Sequence, residues 1–226
     1  RMTAGKPLWG WLDQADNDPL AGKPMAENYI RQTLGLPRLK LTEPLPFDPA
    51  KLRPSRLTQR ARKALRDRHG DDWFSDDALL RARKSLGQSY PDQIQRRLGV
   101  VESTVDAVVT PSSVADALDL LLLAKAHKLR VQATGGATNV TGAFQPPADR
   151  RPVIAADMTR LNQVIEISES DKTVTAEAGI LLPDLEEALS GRGLTLGHFP
   201  QSFHGATLGG SIACNGTGQR SDGYGR

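Results

Sequence analysis

The chain has 226 residues, 38% hydrophobic, 5% aromatic and 24% charged, with a formal net charge of +3. That apolar share excludes overall disorder, and the length suits one large domain or two small ones. A lone cysteine, Cys214, excludes an internal disulfide and a cysteine-based zinc cluster. The longest apolar run, Leu120 to Ala124, is far shorter than the roughly 20 residues of a membrane helix. No N-terminal stretch has the order of a signal peptide, so a cytoplasmic protein is expected, with peripheral membrane association as a further option. Arg1 precedes Met2, and the last residues stop on Ser221-Asp222-Gly223-Tyr224-Gly225-Arg226 without a closing element. The sequence therefore reads as a piece of a longer protein.

In chain order, residues 1–50 form a proline-rich arm. Pro37, Pro44, Pro46 and Pro49 each remove a backbone donor and favour extended structure. One short helix is predicted from Met25 to Leu34, ended by Gly35, and Trp9 and Trp11 would anchor the arm on a neighbouring surface. Residues 51–100 have a net charge of +7, against 0 before them and −4 after them. They read as a basic helical segment, with helices over Ser55–Arg68 and Ser75–Leu86 and a third from Asp92 to Leu98, opened by Pro91.

From residue 101 the pattern alternates between strands and helices. Strands are expected at Val105–Val109, Leu129–Ala133, Val153–Ala156, Val164–Ile167, Thr173–Ala176 and Leu194–Leu196. Ser112 or Ser113 caps a helix running to about Lys128, with apolar positions Val114, Ala117, Leu118, Leu121 and Leu122. Pro183 opens a helix through Leu189, ended by Gly191 and Gly193. The fold class is α+β, preceded by a helical N-terminal extension.

Two runs of small residues stand out. The first, Ala133-Thr134-Gly135-Gly136-Ala137-Thr138-Asn139-Val140-Thr141-Gly142, leaves a strand and can turn successive amides toward an anion. It lacks the spacing of the Rossmann fingerprint and the Gly-Lys-Ser/Thr of a Walker loop; by itself it is also compatible with a turn that binds nothing. The second runs from Gly197 to Gly218. Glycine-rich sequence with few side chains stabilises little, and the apolar anchors Phe199, Phe203, Leu208 and Ile212 argue against a flexible linker. A ligand wrapped by backbone is the natural compensation.

In that order, Gly135-Gly136-Ala137-Thr138-Asn139-Val140, Glu177-Ala178-Gly179, Thr207-Leu208-Gly209-Gly210, Ala213-Cys214-Asn215-Gly216-Thr217-Gly218 and Tyr224-Gly225 resemble the motifs of a known family. It is the vanillyl-alcohol-oxidase family of FAD-linked oxidoreductases, with its PCMH-type FAD-binding domain. Gly197-His198 with Pro200 and Ser202 resembles a segment of the alkyldihydroxyacetonephosphate synthase branch, which the proline-rich, helical extension also suits. The resemblance implies a PCMH-type FAD-binding domain over residues 101–226, comprising its first subdomain and part of the second. It implies FAD held by Ala133, Thr134, Gly135, Gly136, Ala137, Thr138 and Asn139 at the pyrophosphate. Gln201, Ser202, Phe203, His204, Gly205, Ala206 and Thr207 would line the flavin and phosphates, joined by Cys214, Asn215, Gly216 and Thr217.

This sequence also departs from the family pattern. Ala137 replaces a third glycine and would need negative φ or a shifted loop; Cys214 replaces a threonine; Gln201 replaces an acidic residue of the synthase pattern. No histidine lies within 133–142, so the FAD is expected to be non-covalent. Catalytic residues are expected beyond Arg226, in a second domain; His198 and His204 border the loop, while His69 and His127 fall on helices. No metal site is expected. The leading expectation is a flavin-dependent oxidoreductase acting on a 2-hydroxy acid or similar alcohol. The alternative is acyl-to-alkyl exchange on a glycerone phosphate by a synthase-like ether-lipid enzyme. A small-molecule substrate, phosphorylated in the second case, and a homodimer are the expected partners. The basic segment raises a different class, a nucleic-acid- or phosphate-binding module. Its arginines alternate with Asp67, Asp71 and Asp72, which favours a solvated helical face and no nucleic-acid partner.

Overall fold

A computed structural model describes residues 20, 22–39, 43–70, 72–147 and 150–225. Trp9 and Trp11 lie outside them. The elements are α1 (Pro24–Thr33), α2 (Gln59–His69), β1 (Phe74–Ser75), α3 (Ala78–Arg83), α4 (Tyr90–Arg97), β2 (Ala107–Val109), α5 (Val114–His127), β3 (Arg130–Thr134), β4 (Val153–Asp157), β5 (Val164–Ser168), β6 (Thr173–Ala176), α6 (Leu182–Ser190), α7 (Leu208–Ala213) and α8 (Ser221–Tyr224). The α+β class is thus observed.

Helix starts follow side-chain chemistry. The hydroxyls of Thr58, Ser89 and Ser113 accept from the amides of Ala61, Asp92 and Asp116, opening α2, α4 and α5. Each such cap contributes about 1 kcal/mol. Between the two candidate serines, Ser113 is therefore the cap. Ser112 instead donates to the Asp116 carboxylate. Pro91 and Pro183 sit in the first turns of α4 and α6, where a missing amide costs nothing.

The main sheet has the order β1-β2-β4-β3. Strands β2, β4 and β3 are parallel, with Val108 opposite Ala155 and Thr134 opposite Asp157, while β1 pairs antiparallel to β2. Helix α5 carries the chain from β2 past the position later filled by β4. Flanked on both edges, β4 is buried throughout. Alternation divides its side chains. Ile154 and Ala156 join Ala107, Val109, Leu120, Ala124, Leu57, Ala61, Leu65, Trp73 and Phe74 on one face; Val153 and Ala155 join Val105 and Val108, against Leu80, on the other. Residues 57–80 therefore share the core of the sheet. A second sheet, β5 with β6, packs its apolar side on Ile180, Leu185 and Leu189 of the α6 region.

Several expectations are corrected. Ser75 belongs to β1 rather than to a helix, and α3 starts after Asp77, whose carboxylate accepts from the Leu80 amide. Leu194–Leu196 is not a strand. The Leu196 amide donates to Glu186 Oε1 (2.9 Å) and the Thr195 hydroxyl to Oε2 (2.8 Å), so a carboxylate on α6 replaces a ladder. Val114, Leu118, Leu121 and Leu122 of α5 are 56–76% exposed, and the core face is Leu120, Leu123 and Ala124. Both faces of α5 are apolar, so periodicity could not choose between them.

Many of the arginines have structural partners. Arg56 pairs with Asp106, Arg62 with Asp76, and Arg68 with Asp119. Buried Arg81 donates to the Val105 and Arg53 carbonyls, and buried Arg96 to those of Leu86 and Gly87. No described helix is long and apolar enough to cross a membrane.

Candidate functional site

The parallel strands β2, β4 and β3 end on one side of the sheet, where open α/β sheets commonly receive ligands. The first small-residue run leaves β3 there. Thr134 is buried at the strand's end, and Gly135 and Gly136 follow. A Cβ on Gly135 would overlap the Thr207 hydroxyl, and one on Gly136 would overlap the Gly205 carbonyl oxygen. The two runs of small residues, far apart in sequence, thus lie in direct contact, and only glycine permits it.

Thr207 organises the second run. It forms an isolated bridge with Leu181, and its hydroxyl accepts from the Gly210 amide (3.2 Å), capping α7. The Gly209 amide donates to the Ala178 carbonyl (2.8 Å), which seats the T-x-G-G element on the Glu177-Ala178-Gly179 turn. Across the opening, Asn139 Nδ2 donates to Cys214 Sγ (3.3 Å), tying the first run to the segment after α7.

Together these segments enclose a cleft of about 560 Å³, a size usual for small-ligand sites. Of the residues singled out in the sequence, Ala133, Gly135, Gly136, Ala137, Thr138, Asn139, Gln201, Ser202, Ala206, Thr207, Cys214, Asn215, Gly216 and Thr217 line it. Thr134, Phe203, His204 and Gly205 do not. Gly205 is buried beneath Gly136, while the Phe203 ring lies tilted against Phe199 and meets His204 edge-on. Val140, Thr141, Pro200, Gly210, Ser211 and Ala213 also line it and lie within the two runs, although none was assigned to the cofactor; sequence reasoning missed Ala143 and Phe144. Phe144 gave no signal, because it arrives through the turn after Gly142.

Ala137 has φ of +54° and Asn215 +47°. Of the two options expected for an alanine there, negative φ or a shifted loop, Ala137 does not take the first. It stays left-handed because its neighbours are held on both sides, at a cost of about 1–2 kcal/mol.

Among the described residues, no Asp or Glu lines the cleft. An anion entering it meets backbone amides and the polar groups of Thr138, Asn139, Ser202 and Ser211, with no like charge. His198, also on the lining, has its Nε2 buried without a hydrogen-bond partner, beside Gly216. An orphaned ring nitrogen is costly unless a ligand completes it. No group of three or more His, Cys, Asp or Glu among the described residues is placed to hold a metal ion. The arrangement can grip an anion through backbone amides and neutral polar side chains.

Residues 105–226 match the FAD binding domain family, and the chain belongs to that family. Its cofactor is FAD, and the lining just described fits a dinucleotide: no carboxylate, close-packed glycines, and an orphaned His198 nitrogen. The chain is 35% identical over 225 residues to an alkyldihydroxyacetonephosphate synthase of Trypanosoma brucei brucei, covering 99% of this chain and 35% of the relative. It is 29% identical over 124 residues to a glycolate oxidase subunit of Bacillus subtilis (strain 168), covering 55% of this chain and 26% of that relative. A solved alkyldihydroxyacetonephosphate synthase superposes with a TM-score of 0.80 at 31% identity, covering 89% of this chain and 38% of the other. The chain thus spans about a quarter to somewhat over a third of the length of these relatives.

Proposed function

We propose that this chain is the FAD-gripping part of an alkyldihydroxyacetonephosphate synthase-like ether-lipid enzyme, which exchanges an acyl for an alkyl group on a glycerone phosphate. One observation carries the reading. The likeness to the trypanosomal synthase extends over 99% of the chain, extension included, whereas the likeness to the glycolate oxidase subunit covers 55% of it. Oxidation of a 2-hydroxy acid, the leading expectation from the motifs, thereby becomes the second reading.

The amides of Gly135 to Asn139 would hold the pyrophosphate, close to the capped start of α7. Gln201, Ser202 and Ala206 would border the cofactor on one side, and Cys214 to Thr217 on the other. His198 would complete a hydrogen bond through Nε2. The tight contact of Gly135 with Thr207 leaves no room for a side chain where the two loops meet. When bound, FAD supplies an electrophilic ring system that can accept electrons or a nucleophile. The chain's own part is binding and orientation, and the substrate would be a phosphorylated small molecule.

The test uses full-length protein with an acyl-glycerone phosphate and a long-chain alcohol. Formation of the alkyl product with release of the fatty acid, without net flavin reduction, is the expected result. Turnover of 2-hydroxy acids with an artificial electron acceptor, and no exchange, would overturn the synthase reading in favour of the oxidoreductase.

A further inference from the structure

We propose that the α3–α4 connection of the N-terminal extension, through Lys84 and Gly87, is a positioning device that pre-shapes the dinucleotide loop. It lies before the residues matched by the family model, 105–226. Lys84 Nζ is 2.6 Å from Asp157 Oδ2 at the end of β4 and 3.5 Å from the Gly135 carbonyl oxygen. Its side chain is 17% exposed and that of Asp157 11%, so solvent screens the pair little. At the other end of the loop, the Gln88 amide donates to the Asn139 carbonyl (2.7 Å). Between them, Gly87 admits no side chain: a Cβ would fall 2.6 Å from that same Asn139 oxygen. The connection is itself anchored. Ser85 Oγ donates to the Arg81 carbonyl (2.6 Å) and accepts from the Val105 amide (2.9 Å), and Leu86 is buried.

One short segment therefore braces both Gly135 and Asn139. The loop between them is small-residue sequence with Ala137 held left-handed. Left alone, such a loop would sample many conformations and would pay its ordering entropy when the ligand binds. Bracing it beforehand removes that cost. Lys84 and Gly87 line no part of the cleft; they act through the loop and not on the ligand.

This inference rests on the FAD reading of the cleft. Full-length apoprotein is titrated with FAD by flavin fluorescence, and its thermal midpoint is recorded without FAD. Lys84→Met and Gly87→Ala should each raise the FAD dissociation constant about tenfold, the equivalent of one charge-assisted hydrogen bond. Lys84→Arg should restore most of the affinity. Arg81→Met, on the preceding helix and bonded away from the loop to the Val105 and Arg53 carbonyls and the Thr104 hydroxyl, should lower the apoprotein midpoint and leave the dissociation constant unchanged. Gly87→Ala decides the matter if Lys84→Met does not fold. Affinities within twofold of the parent in the folded variants overturn the inference, as does a loss of affinity in Arg81→Met equal to that in Lys84→Met. A parent protein that binds no FAD overturns the cofactor reading, and this inference with it.

Discussion

Asn139 and Cys214 meet across the mouth of the cleft, amide nitrogen to sulfur, at 3.3 Å. The same Asn139 side chain accepts from the Thr141 amide and hydroxyl through Oδ1. One residue therefore both shapes the first loop and latches it to the second. Asn139→Ala should weaken FAD binding about tenfold, in line with losing two or three modest hydrogen bonds. Cys214→Thr keeps a polar partner and should bind within about threefold of the parent by the same reckoning. Fluorescence titration of both variants checks this.

Gly136→Ala places a methyl group on the Gly205 carbonyl oxygen. Neither side is a flexible side-chain end, so backbone must move and the two loops must part. The full-length variant should purify without flavin absorbance while keeping its far-ultraviolet circular dichroism. Retention of yellow colour at parental stoichiometry would contradict the contact.

Ala137→Gly removes the left-handed strain at φ +54° but frees the unfolded chain. The two effects oppose each other, each about 1 kcal/mol. A thermal midpoint unchanged or raised by a few degrees is expected. A marked fall would mean that the methyl group packs usefully.

Asp106 joins three segments. It accepts from the Arg56 amide and guanidinium and from the Val153 amide, with no side-chain exposure. Burial pushes its carboxyl up, yet the Arg56 and Val153 hydrogen bonds outweigh that and hold it below the usual carboxylate range. A group lowered on folding contributes stability that is complete above its unfolded value and is lost as pH falls through the folded one. Stability should therefore decline below about pH 4, and Asp106→Asn should flatten that decline. At neutral pH the variant should cost about 3 kcal/mol, because a partly buried Arg56 loses its counter-ion. Denaturant melts at pH 7 and pH 3 measure both.

Leu65 is fully buried among Phe74, Ala107 and Leu120 in one core cluster. Leu65→Ala should cost about 2–5 kcal/mol. Since α2 belongs to the core of the sheet, the loss should appear as one cooperative transition rather than as separate melting of the extension.

Local chemistry was legible without coordinates. The Ser112-Ser113 pair, Pro91 and Pro183 marked helix starts, because a cap or a proline acts within one turn of its own position, though the structure chose Ser113 as the cap. The small-residue runs at 133–142 and 197–218 pointed to a backbone-lined ligand site, because their composition cannot build a core. Only the tertiary structure decided the rest. It set β4 between β2 and β3, turned α5 so that Leu120 rather than Leu121 met the core, and drew Glu186 onto the Leu196 amide. It also pressed Gly136 onto Gly205 and placed Lys84 behind the loop. Each of these is a contact between residues distant in the chain. Its energy depends on burial and geometry, which periodicity and residue type do not encode.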